Sequence, residues 1–374
     1  MNVIDLFAGV GGLSTGFRKA GFNIVLANEI DKSIAESYEK NHKETTMICD
    51  DIKNILPKVE GMNNSVDVII GGPPCQGFSM AGARIRENKS SKFLDDPRNY
   101  LFRNYFNIVQ KVEPKFFVIE NVPGMLSMKG GKIIQEIEKI FTDDNNFEHG
   151  RYFIYKRVLN AYDYGVPQER HRLIIVGSKV DVDFDAIFER VRNRMIQNGQ
   201  IKMHTIYDAI SDLNYLNSGE GNFEQDYILK PLTDYQKERR KNSTKLYNHV
   251  ATKHNAIAID RISRLPQGGR RLDLVEGNRI KSVHSGAYGR MKWDEPAKTI
   301  ITRFDTPSSG VYIHPEQNRT ITPREAARLQ SFDDDYIFYG NKSTVIKQIG
   351  NAVPPLLAFY LANVILEISK GELL

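Results

Sequence analysis

Short apolar runs alternate with amphipathic stretches through the first 180 residues, and this alternation constrains the fold more than any other feature of the sequence. Strands are predicted over residues 3–7, 24–27, 66–70, 116–119 and 173–176. Helices are predicted over residues 12–20 and 32–41, the first of them ended by Gly21. Strands that alternate with helices favour an α/β fold with a doubly wound, mostly parallel sheet covered on both faces.

The pattern changes after Gly177, where Arg, Asn, Gln and Tyr become common and the periodicity fades. Turns at residues 267–269 and 307–310 interrupt the regularity that remains. Apolar residues return from 345 to 373 and end in a predicted helix that can pack back on the first domain. We therefore expect one domain of residues 1–180 plus 341–374, and a second, smaller and more irregular domain of residues 181–340.

Composition narrows the class of protein. The chain has 374 residues, 41% of them hydrophobic, which is enough for a sizeable core. We find no apolar run that approaches the length of a membrane span, and residues 1–7 do not resemble a signal peptide. Two cysteines, Cys49 and Cys75, make no disulfide framework. A reducing compartment, the cytoplasm, is therefore expected, where a free thiol can react.

The positive charge is concentrated in one segment. Residues 235–292 contain fourteen Lys or Arg and four Asp or Glu, a net +10, so the rest of the chain carries −5 of the total +5. Such a segment is typical of a surface that binds a polyanion. Taken alone, the charge equally fits a solvated basic face, which is the commoner case.

A glycine-rich segment separates the first predicted strand from the first helix. Residues 5–12 read Asp-Leu-Phe-Ala-Gly-Val-Gly-Gly, and glycine lets the backbone turn tightly against a ligand. Glu29 ends the second predicted strand, where nucleotide-binding α/β folds hold ribose hydroxyls, and Asp51 is placed to hold an adenine amino group. The segment fits a dinucleotide, an adenosyl cofactor or a plain turn. Gly-x-Gly-Gly disfavours NAD, and the lack of Gly-Lys-Ser/Thr disfavours a nucleoside triphosphate.

Cys75 lies in Gly-Gly-Pro-Pro-Cys-Gln-Gly-Phe-Ser, directly after the strand that ends at Ile70. Ligands bind at the carboxyl ends of such strands, and two prolines fix the backbone before the thiol, which suits a nucleophile. The alternative, a small buried hydrophobic residue, fits Cys49 better, because the neighbours of Cys75 form turns. The spacing of the two cysteines, without Cys-x-x-Cys or His-x-x-His, disfavours a zinc site.

An ordered series of motifs resembles the bacterial-type DNA (cytosine-5)-methyltransferases. The series comprises residues 5–9 (Asp-Leu-Phe-Ala-Gly), 28–31 (Asn-Glu-Ile-Asp), 51–52 (Asp-Ile), 72–76 (Gly-Pro-Pro-Cys-Gln), 120–122 (Glu-Asn-Val), 168–172 (Gln-Glu-Arg-His-Arg), 324–332 (Arg-Glu-Ala-Ala-Arg-Leu-Gln-Ser-Phe) and 348–355 (Gln-Ile-Gly-Asn-Ala-Val-Pro-Pro). The motifs span nearly the whole chain. The resemblance implies an S-adenosylmethionine-dependent, Rossmann-like catalytic domain and a small target-recognition domain.

The resemblance also implies a mechanism. In the family a cysteine, here Cys75, attacks carbon 6 of a cytosine flipped out of duplex DNA. Carbon 5 then takes the methyl group of S-adenosylmethionine, leaving S-adenosylhomocysteine, and loss of the carbon-5 proton expels the cysteine. Glu120 matches the acid that binds ring atom N3 and is protonated there, or becomes so when the base binds. The alternative for Glu120 is a helix cap or a partner of a surface lysine.

Gln168, Arg170 and Arg172 alternate on an extended segment and are expected to share one face. The resemblance implies that Arg172 faces the cytosine oxygen, with Arg170 in the same supporting set. We therefore expect both guanidinium groups to converge on the base and a phosphate. The alternative is an ordinary pair of exposed arginines.

The resemblance carries further residues over to cofactor and DNA. The cofactor-binding set is Phe7, Gly9, Gly11, Glu29, Ile30, Asp51, Ile52, Pro73, Leu101 and Asn351. Residues 77–91, with Ser79, Arg84 and Arg86, resemble the basic loop that closes over DNA and excludes water.

Residues 181–315 match no fixed pattern of the family, as expected of the region that reads the DNA sequence. The basic segment lies there and favours contacts with duplex phosphates. Gln267, Arg270 and Arg271 are candidates to contact base edges or phosphates, with equal weight. Arg290 is also expected to face DNA, whereas Trp293 is more typical of a core residue than of a base wedge.

We therefore expect a sequence-specific methyltransferase that acts on double-stranded DNA in a restriction-modification or related context. It is expected to be a monomer in the bacterial cytoplasm, on the nucleoid when bound to DNA, with no metal, membrane or obligatory protein partner. Three alternatives are a family member acting on tRNA, a non-catalytic relative and an NAD-dependent oxidoreductase. The basic region disfavours the first, the intact motifs disfavour the second, and Pro-Pro-Cys disfavours the third.

Overall fold

A computed structural model describes residues 1–62, 65–74, 100–274 and 286–371. Its strands are β1 (Asn2–Leu6), β2 (Asn23–Glu29), β3 (Thr46–Cys49), β4 (Val68–Gly71), β5 (Phe116–Asn121), β6 (Phe153–Asn160), β7 (Gln168–Glu169), β8 (His171–Ser178), β9 (Gly221–Gln225), β10 (Leu246–Val250), β11 (Gly289–Arg290), β12 (Ala297–Lys298) and β13 (Val311–Ile313). Its α-helices are α1 (Gly12–Lys19), α2 (Lys32–Asn41), α3 (Leu56–Val59), α4 (Tyr100–Val112), α5 (Lys132–Thr142), α6 (Phe184–Gln197), α7 (Ile206–Ile210), α8 (Asp234–Arg240), α9 (Ala256–Ser263), α10 (Pro323–Leu329), α11 (Lys342–Asn351) and α12 (Pro355–Gly371). The predicted site residues Cys75, Ser79, Arg84 and Arg86 lie outside the described residues.

The chain forms two compact units. The first contains Met1–Asn160, His171–Asn198 and Ala358–Leu374, and the second contains Ala161–Arg170 and Gly199–Leu357. These boundaries differ from the expected ones at 180/181 and 340/341. Helix α6 belongs to the first unit because its Phe188 ring lies 4.6 Å from the ring of Tyr155 in β6. From Ala358 onward the last helix belongs to this unit, where the Tyr360 hydroxyl donates to the Phe188 carbonyl at 2.9 Å.

The first unit is built on a seven-stranded sheet with the order β3-β2-β1-β4-β5-β8-β6. The strands from β3 to β5 run parallel, whereas β8 is antiparallel to both of its neighbours. Central strands are fully buried, with Ile4, Ile69 and Val118 each 0% exposed, as expected of a sheet covered on both faces. The predicted α/β fold with a mostly parallel sheet is confirmed.

Backbone pairing brings several strand ends to one edge of this sheet. Leu6, at the end of β1, pairs with Asn28 of β2 and with Gly71 of β4. The Asn28 side chain donates to the carbonyls of Ile48 and Asp50, which fixes the end of β3 beside them. Residues that follow these strands are therefore held close together, which is where ligands bind in such sheets.

Glycine is required where β8 passes β5. Gly177 pairs with Phe117, and a Cβ on Gly177 would lie 2.1 Å from a ring carbon of that phenylalanine. The ring has little room to move, because its centroid lies 4.2 Å from that of Phe141 and 5.0 Å from that of Tyr152.

Gly177→Ala is therefore expected to lower the free energy of unfolding by about 2–3 kcal/mol through overpacking. Urea denaturation measures this loss. Gly124→Ala is the matched control, because a Cβ there meets no atom within 4 Å and should change stability by less than about 0.5 kcal/mol. Equal losses for the two variants would show that the contact with Phe117 is not the cause.

The second unit contains buried ion pairs. Arg319 binds Glu325 through two hydrogen bonds of 2.7 and 2.8 Å, and all of these side-chain atoms belong to residues with 0% exposure. Arg328 binds Asp334 in the same two-pronged manner and also binds Asp212. Burial alone would raise the pKa of Asp334, but Arg328 outweighs it and lowers that pKa to about 2. The motif of residues 324–332 is therefore part of the interior that holds this unit together.

Among the described residues, one helical stretch is long and apolar enough to cross a membrane by length and composition. It is Lys342–Gly371, with a mean hydropathy of 1.6, and 72% of its most apolar window is buried inside the protein. The expectation that no apolar run approaches that length is therefore wrong. A buried core helix of a soluble protein can have the same length and apolar composition.

Candidate active site

Glu120 is held by an arginine at the end of β5. The Nε atom of Arg172 in β8 lies 2.7 Å from Oε1 of Glu120 in an ion pair, and the two side chains are 14% and 12% exposed. Nη1 of Arg172 donates to the His171 carbonyl at 2.8 Å. Within the described residues the charged partner of Glu120 is thus an arginine and not a surface lysine. The ion pair holds the carboxylate beside Arg172.

The turn that precedes Cys75 is tied to the same strand. Nδ2 of Asn121 donates to the Pro73 carbonyl at 3.0 Å, while Oδ1 of Asn121 accepts from the backbone N–H of Val122. Gly72 packs on the carboxylate, since a Cβ there would lie 3.2 Å from Oε2 of Glu120. The Gly-Pro-Pro turn and Glu120 therefore form one fixed arrangement. Sequence reasoning treated Asn121 only as part of a motif and missed this contact.

The glycine-rich loop after β1 has the backbone that its sequence predicts. Gly9 and Gly11 adopt left-handed conformations, with φ of 55° and 84°. A Cβ on Gly9 would meet no atom within 4 Å, whereas one on Gly11 would lie 2.5 Å from Nε2 of His42. Phe7 is also left-handed, with φ of 56°, which is strained for a phenylalanine and typical of a functional loop. The loop is open beside Gly9 and closed beneath Gly11.

Glu29 faces this loop. Its Oε2 accepts from the Gly9 N–H at 3.0 Å, and its Oε1 accepts from the Asp31 N–H at 2.9 Å. Burial raises the pKa of Glu29, and these backbone donors oppose the rise. Each oxygen keeps a further lone pair for a ligand hydroxyl. An open glycine turn beside a fixed carboxylate fits the ribose of an adenosyl cofactor.

The other predicted cofactor residues lie in different surroundings. Ile30 is 67% exposed and offers an apolar surface to a ring, whereas Ile52 is 3% exposed and belongs to the core. Asp51 accepts from the Tyr100 hydroxyl at 3.1 Å, a contact that the sequence did not reveal. Leu101 is half-buried and Pro73 is buried. Asn351 lies exposed at the end of α11 in the second unit.

A buried polar cluster lies beneath the glycine loop. The Ser14 hydroxyl donates to Oδ2 of Asp5 at 2.6 Å and lies 2.7 Å from the Tyr38 hydroxyl. Asp5 is 0% exposed, and its Oδ1 has no hydrogen-bond partner within the part of the chain that the structure describes. Burial raises the pKa of Asp5 to about 7, a rise that its bond with Ser14 partly opposes. The folded protein therefore holds a proton here at mildly acidic pH that the unfolded chain has lost.

Asp5→Asn is expected to change the pH dependence of stability. Because the folded pKa lies above the ordinary value of 3.8, the protonated carboxyl is favoured below about pH 4, and stability falls as the pH rises to about 7. The wild type should lose about 2–4 kcal/mol relative to Asp5→Asn between pH 4 and pH 8. Urea denaturation of both proteins at several pH values measures the difference. A difference that does not vary with pH would contradict the raised pKa.

Arg170 corrects one prediction. Its side chain is 1% exposed and donates to the carbonyls of Ile300 and Gly350, at 2.9 and 3.1 Å. Arg172 instead forms its ion pair with Glu120. Gln168 is also buried, and it binds the Leu329 carbonyl and the Ile300 N–H. Arg170 is thus a positioning residue of the second unit and not a catalytic residue.

The comparison with known proteins decides the family. The model of the C-5 cytosine-specific DNA methylase family matches residues 1–367. The chain belongs to the C-5 cytosine-specific DNA methylase family. It is a DNA cytosine-5-methyltransferase that uses S-adenosylmethionine, and the predicted family and cofactor are confirmed.

Relatives span nearly the whole of this methyltransferase. It is 38% identical to the type II methyltransferase M.DdeI of Desulfomicrobium norvegicum, over 97% of this chain and 88% of that protein. It is 35% identical to M1.HphI of Haemophilus parahaemolyticus, over 100% and 88%. A crystal structure titled as a DNA modification methyltransferase encoded within an Escherichia coli prophage has a TM-score of 0.74 and 28% identity, over 99% of both chains. The Dnmt2 methyltransferase of Schizosaccharomyces pombe, with a TM-score of 0.63 and 16% identity, shares the fold.

Arg290 of this methyltransferase corrects a second prediction. It is 4% exposed, and its guanidinium donates to the carbonyls of His314, Gln317 and Ile262 and to Oδ1 of Asn318. These four acceptors, at 2.7–3.1 Å, bind its two terminal nitrogens within the second unit. Arg290 therefore does not face DNA as expected. Its backbone instead supports the turn at residues 267–269.

In the described second unit three candidates for DNA binding remain, and they lie on the turn at residues 267–269 or directly after it. Gln267 and Arg270 are exposed, and Arg271 is half-buried. Trp293 is half-buried, and its indole N–H donates to Glu316 at 2.7 Å, in keeping with a structural role. Among the described residues no group of three or more His, Cys, Asp or Glu could hold a metal ion. Cys49 is exposed.

Proposed function

We propose that Cys75, Glu120 and Arg172 carry out methylation of a cytosine flipped out of duplex DNA. The observation that carries the proposal is the 2.7 Å contact between Arg172 and Glu120, beside the Gly-Pro-Pro turn that leads to Cys75. A carboxylate and a guanidinium fixed together complement a ring that has one acceptor nitrogen and one carbonyl oxygen. The family membership supports the same assignment.

The mechanism assigns each atom a place. The Cys75 thiolate forms a bond to carbon 6, and the electron pair of the 5,6 double bond moves to carbon 5. Oε2 of Glu120, on the side of Gly72, serves N3, where a proton compensates the charge that the ring gains. Nη2 of Arg172 serves the cytosine oxygen, since Nε and Nη1 bind Glu120 and His171. After methylation water takes the carbon-5 proton, and the freed electron pair restores the 5,6 double bond as the sulfur–carbon bond breaks. The thiolate is thereby restored, and the proton at N3 returns to Glu120.

The first unit is proposed to hold the cofactor. When bound, S-adenosylmethionine supplies an electrophilic methyl group. Glu29 would accept from the ribose hydroxyls, Ile30 would cover a face of the adenine, and Asp51 would accept from its amino group. The open side of the loop at Gly9 leaves room for the methionine part. Gly9 and Gly11 would contribute by leaving space for the cofactor beside the backbone, and this role needs no side chain.

The second unit is proposed to read the DNA sequence, with the basic segment at residues 235–292 on the phosphates. The relatives include type II methyltransferases, and this supports a role in protecting host DNA from a restriction enzyme. We further propose a monomer that acts in the bacterial cytoplasm. One flipped base needs only one active site.

Transfer of tritiated methyl from S-adenosylmethionine to mixed-sequence duplex DNA tests the function, with tRNA as a parallel substrate and a reaction without enzyme as blank. We expect label as 5-methylcytosine in DNA, and bisulfite sequencing should place it in one short sequence context. Label in tRNA alone would overturn the substrate. No label in either nucleic acid, from protein that binds the cofactor, would identify a non-catalytic relative.

A further inference from the structure

A tyrosine hydroxyl of the first unit contacts a carboxylate that is assigned to the cofactor. Tyr100, the first residue of α4, donates from its hydroxyl to Oδ1 of Asp51 at 3.1 Å. The two residues are 49 positions apart in the sequence, so the fold brings them together. Such a bond can be purely structural, and the surroundings of both groups therefore decide its role.

The two oxygens of Asp51 have different surroundings. Oδ1 accepts from the Lys53 N–H at 3.1 Å, which caps the 3₁₀-helix Ile52–Asn54, and from the Tyr100 hydroxyl. Oδ2 lies 3.6 Å from Nζ of Lys53, whose side chain is 58% exposed. An exposed ion pair of this kind does little to hold a carboxylate, because water competes for both charges. Oδ2 is therefore the oxygen that remains for a ligand donor.

The Tyr100 side chain is held in place by packing. It lies against the hydrophobic core cluster that includes Ile52 and Phe106, and its carbonyl accepts from Nδ2 of Asn104 one turn later in α4. Burial and the hydrogen bond to Asp51 both raise the pKa of the Tyr100 hydroxyl, so the phenol keeps its proton and acts as a donor. The hydroxyl thus gives Asp51 a fixed partner that does not depend on an exposed lysine.

Two other tyrosines of the first unit donate to the backbone. Tyr152 donates to the Pro114 carbonyl at 2.7 Å, and the Tyr105 hydroxyl lies 3.4 Å from one carbonyl of β4 and one of β5. Those contacts provide partners for polar groups inside the core. The acceptor of Tyr100 is instead the half-buried side chain of Asp51, on the side of the sheet where the cofactor is assigned.

Adenine carries an amino group that donates hydrogen bonds, and a carboxylate oxygen held in one position binds it better than a mobile one. We infer that Tyr100 is a positioning residue of the cofactor site. It holds Oδ1 of Asp51 so that Oδ2 accepts from the adenine amino group, and it thereby favours adenine over bases that lack this group. Without the hydroxyl, the carboxylate is free to turn toward the Lys53 ammonium. The inference rests on the proposed function, since it requires Asp51 at the adenine.

Isothermal titration calorimetry with two ligands tests the inference. One ligand is S-adenosylhomocysteine, and the other is its analogue with unsubstituted purine in place of adenine, which lacks only the amino group. The native chain should bind S-adenosylhomocysteine at least about fivefold more tightly than the analogue. Tyr100→Phe keeps the ring and removes the hydroxyl. It should weaken the binding of S-adenosylhomocysteine about fivefold and change that of the analogue by less than about twofold.

Tyr155→Phe is the matched control. The Tyr155 hydroxyl also donates to an aspartate carboxylate, that of Asp185, at 3.1 Å, but from the edge strand β6 at the other end of the sheet from β3. This variant should leave both affinities within about twofold of the native values. In an Asp51→Ala background, Tyr100→Phe should also change the affinity for S-adenosylhomocysteine by less than about twofold, because the hydroxyl acts through the carboxylate.

Equal weakening of both ligands by Tyr100→Phe would overturn the inference and indicate a structural role. Binding of S-adenosylhomocysteine within about twofold of native would overturn it as well. A native chain that binds the two ligands equally would instead overturn the proposed contact between Asp51 and the adenine, and the inference with it. Methyl transfer to DNA is tested separately, since neither ligand donates a methyl group.

Discussion

Cys75→Ser is expected to lower methyl transfer to DNA by about 10⁴-fold or more, the scale on which loss of a catalytic nucleophile is felt. A serine hydroxyl is far less acidic than a thiol, so almost none of it is ionised to attack carbon 6. Binding of S-adenosylmethionine should change by less than about twofold, because the groups assigned to the cofactor are those at Gly9, Glu29 and Asp51.

The fixed turn before Cys75 explains why a near-isosteric replacement should not be tolerated. Asn121 holds the Pro73 carbonyl, and Gly72 packs on Glu120. The described backbone that leads to residue 75 is therefore held in place, and we expect a change at residue 75 to act through the chemistry of its side chain. Cys49→Ser is the matched control. Cys49 is exposed at the end of β3, and its replacement should leave transfer within about twofold of the native rate.

A duplex with 5-fluorocytosine at the target position gives a second readout. The mechanism removes a proton from carbon 5 before the cysteine can leave, and fluorine cannot leave in that way. The native chain and Cys49→Ser should therefore form a stable protein–DNA complex in the presence of S-adenosylmethionine, seen on a denaturing gel. Cys75→Ser should form none. A complex that forms without Cys75 would mean that another residue is the nucleophile.

Much of this site could be predicted because its residues follow buried strands. Both faces of the central strands are covered, so their sequences are apolar runs, at residues 3–7, 66–70 and 116–119. The residues that directly follow each run lie at the carboxyl ends of the strands, where the site is built. Edge strands β3 and β6 were not predicted. Their positions are almost all exposed or half-buried, so neither strand forms a run of buried apolar residues.

The wrong predictions for Arg170 and Arg290 have a common cause. A charged side chain in a sequence is expected to be exposed to solvent. Arg170 and Arg290 are almost fully buried, and their terminal nitrogens donate to backbone carbonyls and an amide oxygen. The carbonyls that bind Arg170 belong to residues 300 and 350, more than a hundred positions away in the sequence. Spacing along one segment cannot reveal such partners, so the pattern of Gln168, Arg170 and Arg172 identified the segment but not the separate roles of its arginines.

Arg172 contacts Glu120, whereas Arg170 binds backbone carbonyls, so the second large effect on catalysis is expected at Glu120 and Arg172. Glu120→Gln is expected to lower kcat about 10²–10³-fold, since a glutamine cannot exchange a proton with N3 when carbon 6 is attacked. KM for DNA should change by less than about threefold, because the contact strengthens only as the ring gains charge. Steady-state kinetics on a duplex that carries the methylated sequence measure both quantities. A loss confined to KM would mean that Glu120 only binds the base.

Arg172→Met should lower kcat by a similar factor, because Nε of Arg172 fixes Glu120 at 2.7 Å. The two substitutions act on one unit, so the double variant should lose much less than the product of the single losses. Arg170→Met is the control that distinguishes chemistry from structure. Its buried guanidinium binds two carbonyls, and the variant should lose about 2–4 kcal/mol of stability in the second unit. Losses of Glu120→Gln and Arg172→Met that simply multiply would show that the 2.7 Å contact is not part of the catalytic arrangement.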